Sequence, residues 1–361
     1  MDGAEARDDM VPSVAGDEED DELVLAALVN SAPIEETAAE GLSNTLKRVA
    51  AGGLAGMVAK SVVAPLDRIK ILFQVTTEPF SLRRARQLGL DILKLEGTRG
   101  LWRGNSATML RVFPYAGSQF LVFDTLKRRV LNRKRSHSMS TGQHSALSAA
   151  PPRMSNLESL VCGSCAGATS VVVTYPLDLA RARLAVGVEH HNSGNVGLWT
   201  GVSGTLKALI KENGPSALYR GITPTLLGII PYSGIAFCIN ERAKHEVRVV
   251  TGNDPGTFHK LGIGAFSGLI AQSCTYPLEV MRRRMQTAGV VDQHAGVSKV
   301  FAGKHGQLEK LTLEGTLRQV LAEQGVRGLF KGLSMNWVKG PVGIGISFTT
   351  FDFLKRRMDL Q

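Results

Sequence analysis

One pattern constrains this chain more than any other: proline, any residue, an acid, two further residues and a base, written three times. The copies are Pro65-Leu66-Asp67-Arg68-Ile69-Lys70, Pro176-Leu177-Asp178-Leu179-Ala180-Arg181 and Pro277-Leu278-Glu279-Val280-Met281-Arg282, at offsets of 111 and 101 residues. Each closes an apolar segment, and ahead of each stands a pair of glycines four apart: Gly52/Gly56, Gly163/Gly167 and Gly264/Gly268. Small residues at that spacing let helix backbones approach closely within lipid. Further along each unit, Glu96-Gly97 leads to Trp102-Arg103-Gly104, Asn213-Gly214 to Tyr219-Arg220-Gly221, and Gln324-Gly325 to Phe330-Lys331-Gly332. A fourth signal follows as Asp124-x-x-Lys127, Glu241-x-x-Lys244 and Asp352-x-x-Lys355. Four signals in one order, three times over, mark a tandem repeat in which each unit is one supersecondary element packed on its neighbours.

The apolar segments have the length of a bilayer. Val49–Leu66, Ser106–Phe123, Ser159–Leu177, Gly221–Ile239, Leu261–Leu278 and Gly332–Phe351 each carry at most one charge, and about 18–20 residues of helix cross a ~30 Å hydrocarbon core. The mean hydropathy of +0.02 looks too polar for such a protein because the first 40 residues hold 13 acids against one base. Removing them leaves a strongly basic body. The expected organisation is an acidic disordered tail over 1–42, a first repeat over 43–134, a linker over 135–155, a second repeat over 156–250, and a third over 257–359 with an insertion at about 290–312. The fold expected is all-α: six transmembrane helices in three repeats.

Several functions are disfavoured. The acidic run Asp17 to Glu22 lacks the alternating ligands and central glycine of a calcium loop. Cys162-Gly163-Ser164-Cys165 has C-x-x-C spacing, but no βαβ pattern surrounds it, and small helix-packing residues explain it better. The histidines show no metal-ligand spacing. No enzyme site, metal or cofactor is expected. The tail is the reverse of an Arg-rich amphipathic presequence, so targeting information is expected in the body. A basic body alone suits nucleic acid, but six bilayer-length windows argue against it.

The spacing Pro-x-acid-x-x-base, followed by an acid or amide, then Gly-x4-aromatic-base-Gly, three times over, resembles the mitochondrial carrier family across residues 45–358. That resemblance implies a pseudo-threefold barrel of six tilted helices with a short matrix-side helix in each repeat. It also implies both termini in the intermembrane space, a monomer and a mitochondrial inner membrane location, a peroxisomal membrane being the less favoured organelle. Intramembrane charges need partners, so Asp67–Arg181, Asp178–Arg282 and Glu279–Lys70 are expected to close one end. By family analogy this is the matrix gate, with Gln74 and Gln286 able to brace two pairs and Ala185 unable to. Asp124–Lys244, Glu241–Lys355 and Asp352–Lys127 would close the cytoplasmic end, as alternating access requires. Residues Trp102, Arg103, Gly104, Tyr219, Arg220, Gly221, Phe330, Lys331 and Gly332 precede helix starts suited to lipid phosphate, cardiolipin being the family expectation.

Positions that keep the threefold pattern serve the scaffold, whereas an asymmetric cargo is held by positions that break it. Arg111/Gly228/Lys339 and Lys60/Val171/Gln272 break it, and Lys60, Arg111 and Lys339 are the charges inside the apolar windows between the two rings. Three unpaired cations at mid-depth call for an anion with several charges, phosphates above all, and Gly228-Ile229 offers a small, flat, apolar surface for an aromatic base. In the family that Gly-Ile pair marks nucleotide-type cargo. Longer stretches, Trp102 to Met109, Pro231 to Gly234, Arg282 to Gly289 and Gly332 to Pro341, resemble the branch that carries coenzyme A. The expectation is import of coenzyme A in exchange for ADP, another adenine nucleotide or adenosine 3′,5′-bisphosphate. The alternative is another adenine-nucleotide carrier, of the ATP-Mg/phosphate or ADP/ATP type. Of the ADP/ATP exchanger's Arg-Arg-Arg-Met-Met-Met run, only Arg282 to Met285 is present, followed by Gln286.

Overall fold

The computed structural model describes residues 38–76, 79–140, 154–187, 198–253, 256–288 and 312–357. Most of the acidic tail, most of the 135–155 linker and nearly all of the 290–312 insertion therefore lie outside the described residues. Within them the chain is helical and each repeat has the same three helices. The first is α1 (Ala38–Val75), α2 (Leu82–Glu96) and α3 (Asn105–Ser140). The second is α4 (Asn156–Val186), α5 (Leu198–Asn213) and α6 (Ile222–Thr251). The third is α7 (Thr257–Thr287), α8 (Leu313–Gln324) and α9 (Leu333–Arg357). A single 3-10 turn joins each short helix to the long helix after it. At both ends of the first repeat helix runs further than expected, since α1 starts at Ala38 and α3 continues to Ser140 into the anticipated linker.

The six long helices form a closed ring. The most extensive packing joins α3 to α4, α6 to α7 and α9 to α1, so the last helix of each repeat lies along the first helix of the next and the third repeat returns to the first. At the Pro-x-acid end, α1, α4 and α7 also contact one another. Each carries its motif proline inside a continuous helix, and α3, α6 and α9 carry prolines of their own, Pro114, Pro231 and Pro341. Buried apolar side chains lie between helices, as in the cluster Ile69, Leu72, Phe73, Leu88, Ile92 and Val186 that seats α2 under the first junction.

By length and composition alone, only Leu157–Val186 and Pro215–Thr251 pass as membrane spans among the described residues. The other long helices are diluted by charges and small hydroxylated residues, which lowers their mean hydropathy although they complete the same ring. Two glycines of the expected close-approach pairs, Gly56 and Gly264, have open space beside them. A Cβ at Gly56 or Gly264 would meet nothing within 4 Å, whereas one at Gly53 would sit 2.9 Å from the Phe113 ring. The close approach in this region is of a ring onto Gly53.

Where the long helices do approach tightly is at the aromatic-base-Gly triplets. Gly104 has φ +87°, and a Cβ there would fall 2.8 Å from the carbonyl oxygen of Arg181 in the next repeat. Gly104→Ala should therefore destabilise the protein by about 1–3 kcal/mol, combining left-handed strain with a backbone clash. Gly56→Ala should be nearly neutral, and thermal unfolding of the two purified variants side by side checks the contrast.

Candidate functional site

The three acids and three bases of the motif meet where α1, α4 and α7 converge. Arg181 donates from Nη2 to Asp67 Oδ2 at 2.7 Å, Arg282 from Nη2 to Asp178 Oδ2 at 2.6 Å, and Lys70 Nζ lies 2.7 Å from Glu279 Oε1. Every pair crosses between repeats, so each needs two helices at once. Asp178 and Arg282 are almost wholly buried, at 1% and 4% side-chain exposure, an arrangement tolerable only because further donors surround the carboxylate.

The added donors at two of the junctions are glutamines, each also bonded to a tyrosine. Gln74 Nε2 donates to Glu279 Oε1 at 2.7 Å and to the Tyr276 hydroxyl at 3.0 Å. Gln286 Nε2 donates to Asp178 Oδ2 at 2.6 Å and to the Tyr175 hydroxyl at 3.2 Å. Each tyrosine in turn donates to the backbone oxygen of a triplet base, Tyr276 to Lys331 and Tyr175 to Arg220. The third junction has neither residue. Ala185 stands where the glutamine would be and Ala64 where the tyrosine would be, and together with Asn105, Thr108 and Arg181 they line a cavity beside Asp67. The tyrosines were not singled out from the sequence, although their absence at Ala64 matches the missing glutamine at Ala185.

At the opposite end none of Asp124–Lys244, Glu241–Lys355 and Asp352–Lys127 forms among the described residues. Asp124 is paired with Arg128 one turn along its own helix, and Glu241 with Lys244 likewise, at 2.7 and 3.3 Å. One end of the ring is therefore closed and the other is open. Of the residues of the second ring, Asp124, Glu241 and Lys244 turn instead to partners on their own helices.

Three expectations for the cargo residues are corrected. Lys339 is not an unpaired cation: its Nζ lies 3.1 Å from Asp67 Oδ1, so Asp67 is shared between Lys339 and Arg181. Arg111 is buried, donates from Nε to Thr174 Oγ1 at 3.1 Å and lies over the Tyr115 ring at 4.6 Å. Ile229 is no exposed platform, being 2% exposed and packed with Tyr115, Val171 and Tyr175. Gly228 does face a cavity, lined also by Thr225, Gln272, Thr275, Glu279 and Arg282. Lys60 is half-buried and stands seven residues before Asp67 on α1, hence on the same helix face about 10.5 Å further toward the open end.

The lipid triplets divide. Trp102, Tyr219 and Phe330 are exposed to a similar degree, with Arg103 paired to Glu96 and Arg220 bonded to Asn213. Lys331 is corrected: it is buried and its Nζ donates to the Thr76 backbone oxygen at 2.5 Å, which removes it from the surface available to a headgroup. The glycines serve protein contact, since Gly104, Gly221 and Gly332 each abut the gate base of the next repeat or its tyrosine.

Comparison with known proteins agrees with this architecture. The model of the mitochondrial carrier protein family matches residues 42–134, 152–249 and 253–360. The chain is 42% identical over 338 residues to the mitochondrial coenzyme A transporter of Xenopus tropicalis, covering 91% of this chain and 93% of that one. It is 42% identical over 339 residues to the protein of the same name in Homo sapiens, covering 93% of each. A mitochondrial carrier protein of Zea mays, CoAc1, is 37% identical over 333 residues, covering 90% of this chain and 91% of the relative.

Proposed function

The chain belongs to the mitochondrial carrier family, and from that premise we propose that it is an inner-membrane antiporter that imports coenzyme A by alternating access. Its counter-substrate is an adenine nucleotide or adenosine 3′,5′-bisphosphate. The observation that carries this reading is the excess of cations at the floor of the open cavity. Asp67, Asp178 and Glu279 face Lys70, Arg181 and Arg282, Lys339 joins them through Asp67, and Arg111 lies just above on Thr174, one turn before Asp178. Lys60 follows about two turns higher. A cavity enclosed by the helix ring and holding surplus positive charge favours a guest bearing several negative charges, and phosphates match the planar fork of arginine. Gly228 leaves room in the wall opposite for the flat base.

The shared carboxylate supplies a mechanism. A phosphate that reaches Lys339 competes with Asp67 for its ammonium, and Asp67–Arg181 is the junction with no glutamine or tyrosine brace. Cargo binding therefore loosens the closed end where it is weakest. That is the differential affinity for the two states that any ligand-driven switch requires. Breaking this ring frees the repeats to swing, and Asp124, Lys127, Glu241, Lys244, Asp352 and Lys355 then close the other end. Exchange rather than uniport follows from the membrane potential, since each uncompensated negative charge moved inward against ~100 mV costs about 2.3 kcal/mol. Exposed aromatic faces at Trp102, Tyr219 and Phe330, with Arg103 and Arg220 near helix starts, are the places for cardiolipin.

Purified protein in liposomes loaded with ADP should take up labelled coenzyme A, and unlabelled coenzyme A should compete. Uptake of ATP or phosphate that coenzyme A leaves untouched would assign the chain to the ATP-Mg/phosphate or ADP/ATP type instead.

A further inference from the structure

Beneath the ring of ion pairs lies a second ring made of arginines and backbone. Arg68 donates from Nε to the Ala185 oxygen at 2.9 Å, Arg183 from Nε to the Gln286 oxygen at 3.1 Å, and Arg284 from Nε to the Gln74 oxygen at 3.4 Å. All three arginines are buried. The three acceptors are equivalent: each is the penultimate residue of α1, α4 or α7, one turn beyond the base of its motif. The last four carbonyls of a helix have no partner within it, and its C-terminus carries partial negative charge, so a guanidinium is the group such a terminus accepts best.

The two rings run in opposite senses. In the ion-pair ring the second repeat donates to the first, the third to the second and the first to the third. In the arginine ring the first donates to the second, the second to the third and the third to the first. Each junction is thus fastened by two contacts of opposite polarity at two depths, and a hinge at either depth leaves the other contact holding. Arg68 and Arg284 are themselves held by Glu96 and Glu323 at the ends of α2 and α8, each at 2.7 Å, so two of the short helices move with the ring.

We propose that Arg68, Arg183 and Arg284 are positioning residues of the transport cycle, forming a latch on helix C-termini that must release whenever the Pro-x-acid end opens. The proposal deepens the alternating-access reading and rests on it, but is independent of the cargo. The latch is specific to one state because separating α1, α4 and α7 removes all three acceptors together and hands them to water.

The test places a single cysteine at Thr275, beside the closed floor, in full-length protein whose four native cysteines are serine, in uniformly oriented proteoliposomes. A membrane-impermeant maleimide added from the Pro-x-acid face should label the parent slowly, and faster once coenzyme A or ADP is supplied on the opposite face. With no cargo present, Arg183→Gln should raise labelling from that face about tenfold, the scale of one charge-assisted hydrogen bond; Arg183→Lys should lie between; Arg318→Gln, which breaks an exposed pair within α8, should match the parent. If Arg183→Gln does not fold, Arg284→Lys carries the same comparison. A parent that responds to cargo while the folded latch variants label like it would overturn the latch alone. A parent that responds to neither nucleotide would overturn alternation and the latch with it.

Discussion

Arg111→Ala should lower the initial rate of coenzyme A exchange by at least about 100-fold in liposomes, while the variant remains in the membrane and keeps its cooperative melting. The size follows from what the side chain does. Its guanidinium is buried, anchored through Nε on Thr174 and laid on the Tyr115 ring, and on the proposed reading this fixed, charged fork is what an incoming phosphate meets. A charge-assisted bond to a largely desolvated phosphate contributes about 1.5–3 kcal/mol, and 2.8 kcal/mol is about 100-fold. Arg111→Lys keeps the charge but neither the fork nor the fixed anchor, so a loss of about tenfold is expected. The split between KM and kcat identifies the role. If Arg111 serves only to pack α3 on α4, the alanine variant melts earlier and the folded fraction exchanges normally. Lys339→Ala should also weaken coenzyme A binding, and in addition loosen Asp67. Normal exchange by both alanine variants would place the cargo elsewhere.

How much of this was readable in the sequence depends on how each contact is encoded. The ion pairs were legible because a tandem repeat turns a fixed offset along the chain into a fixed rotation around an axis. Residues at equal places in three copies must then meet at equal depth. The bracing tyrosines were half-legible. Gln74 pairs with Tyr276 and Gln286 with Tyr175, each across a junction, and the alanines at 64 and 185 fall at the one junction lacking both. Lys339 on Asp67 could not be read, because it joins the last long helix to the first and its register is set by ring closure. The arginine latch was hidden for a different reason: its acceptors are backbone atoms without a sequence signature, and Arg68 stands three residues after its proline while Arg183 and Arg284 stand seven after theirs. Lys331 kept the pattern of Arg103 and Arg220 yet turned inward, since the Thr76 carbonyl just beyond α1 offered a buried acceptor. The second charge ring was legible as residues and not as contacts. Whether it is closed belongs to the state of the molecule and not to its sequence.

Neutralising the gate should have unequal effects at different junctions, and Asp178→Asn should be the most severe. Asp178 receives Arg282 and Gln286 at 2.6 Å each, with Arg283 3.5 Å from its other oxygen, and all three partners are buried. Removing the carboxylate's charge takes a counterion away from two buried arginines, and breaking a buried pair in this way destabilises such sites by about 3–5 kcal/mol. That is enough to shift the closed state from dominant to minor. Exchange should collapse, and the Thr275→Cys reporter should label from the Pro-x-acid face without cargo. Adding Arg282→Gln to Asp178→Asn should recover part of the closed population, because removing both partners of a buried pair is less harmful than orphaning one. Asp67→Asn should shift the equilibrium less, by about a tenth of the factor, since Asp67, Arg181 and Lys339 keep 9–14% of their side-chain surface in contact with solvent and water can screen what remains. Equal labelling in the two single variants would mean that the three junctions open as equals, and the route from Lys339 through Asp67 to an asymmetric release would be wrong.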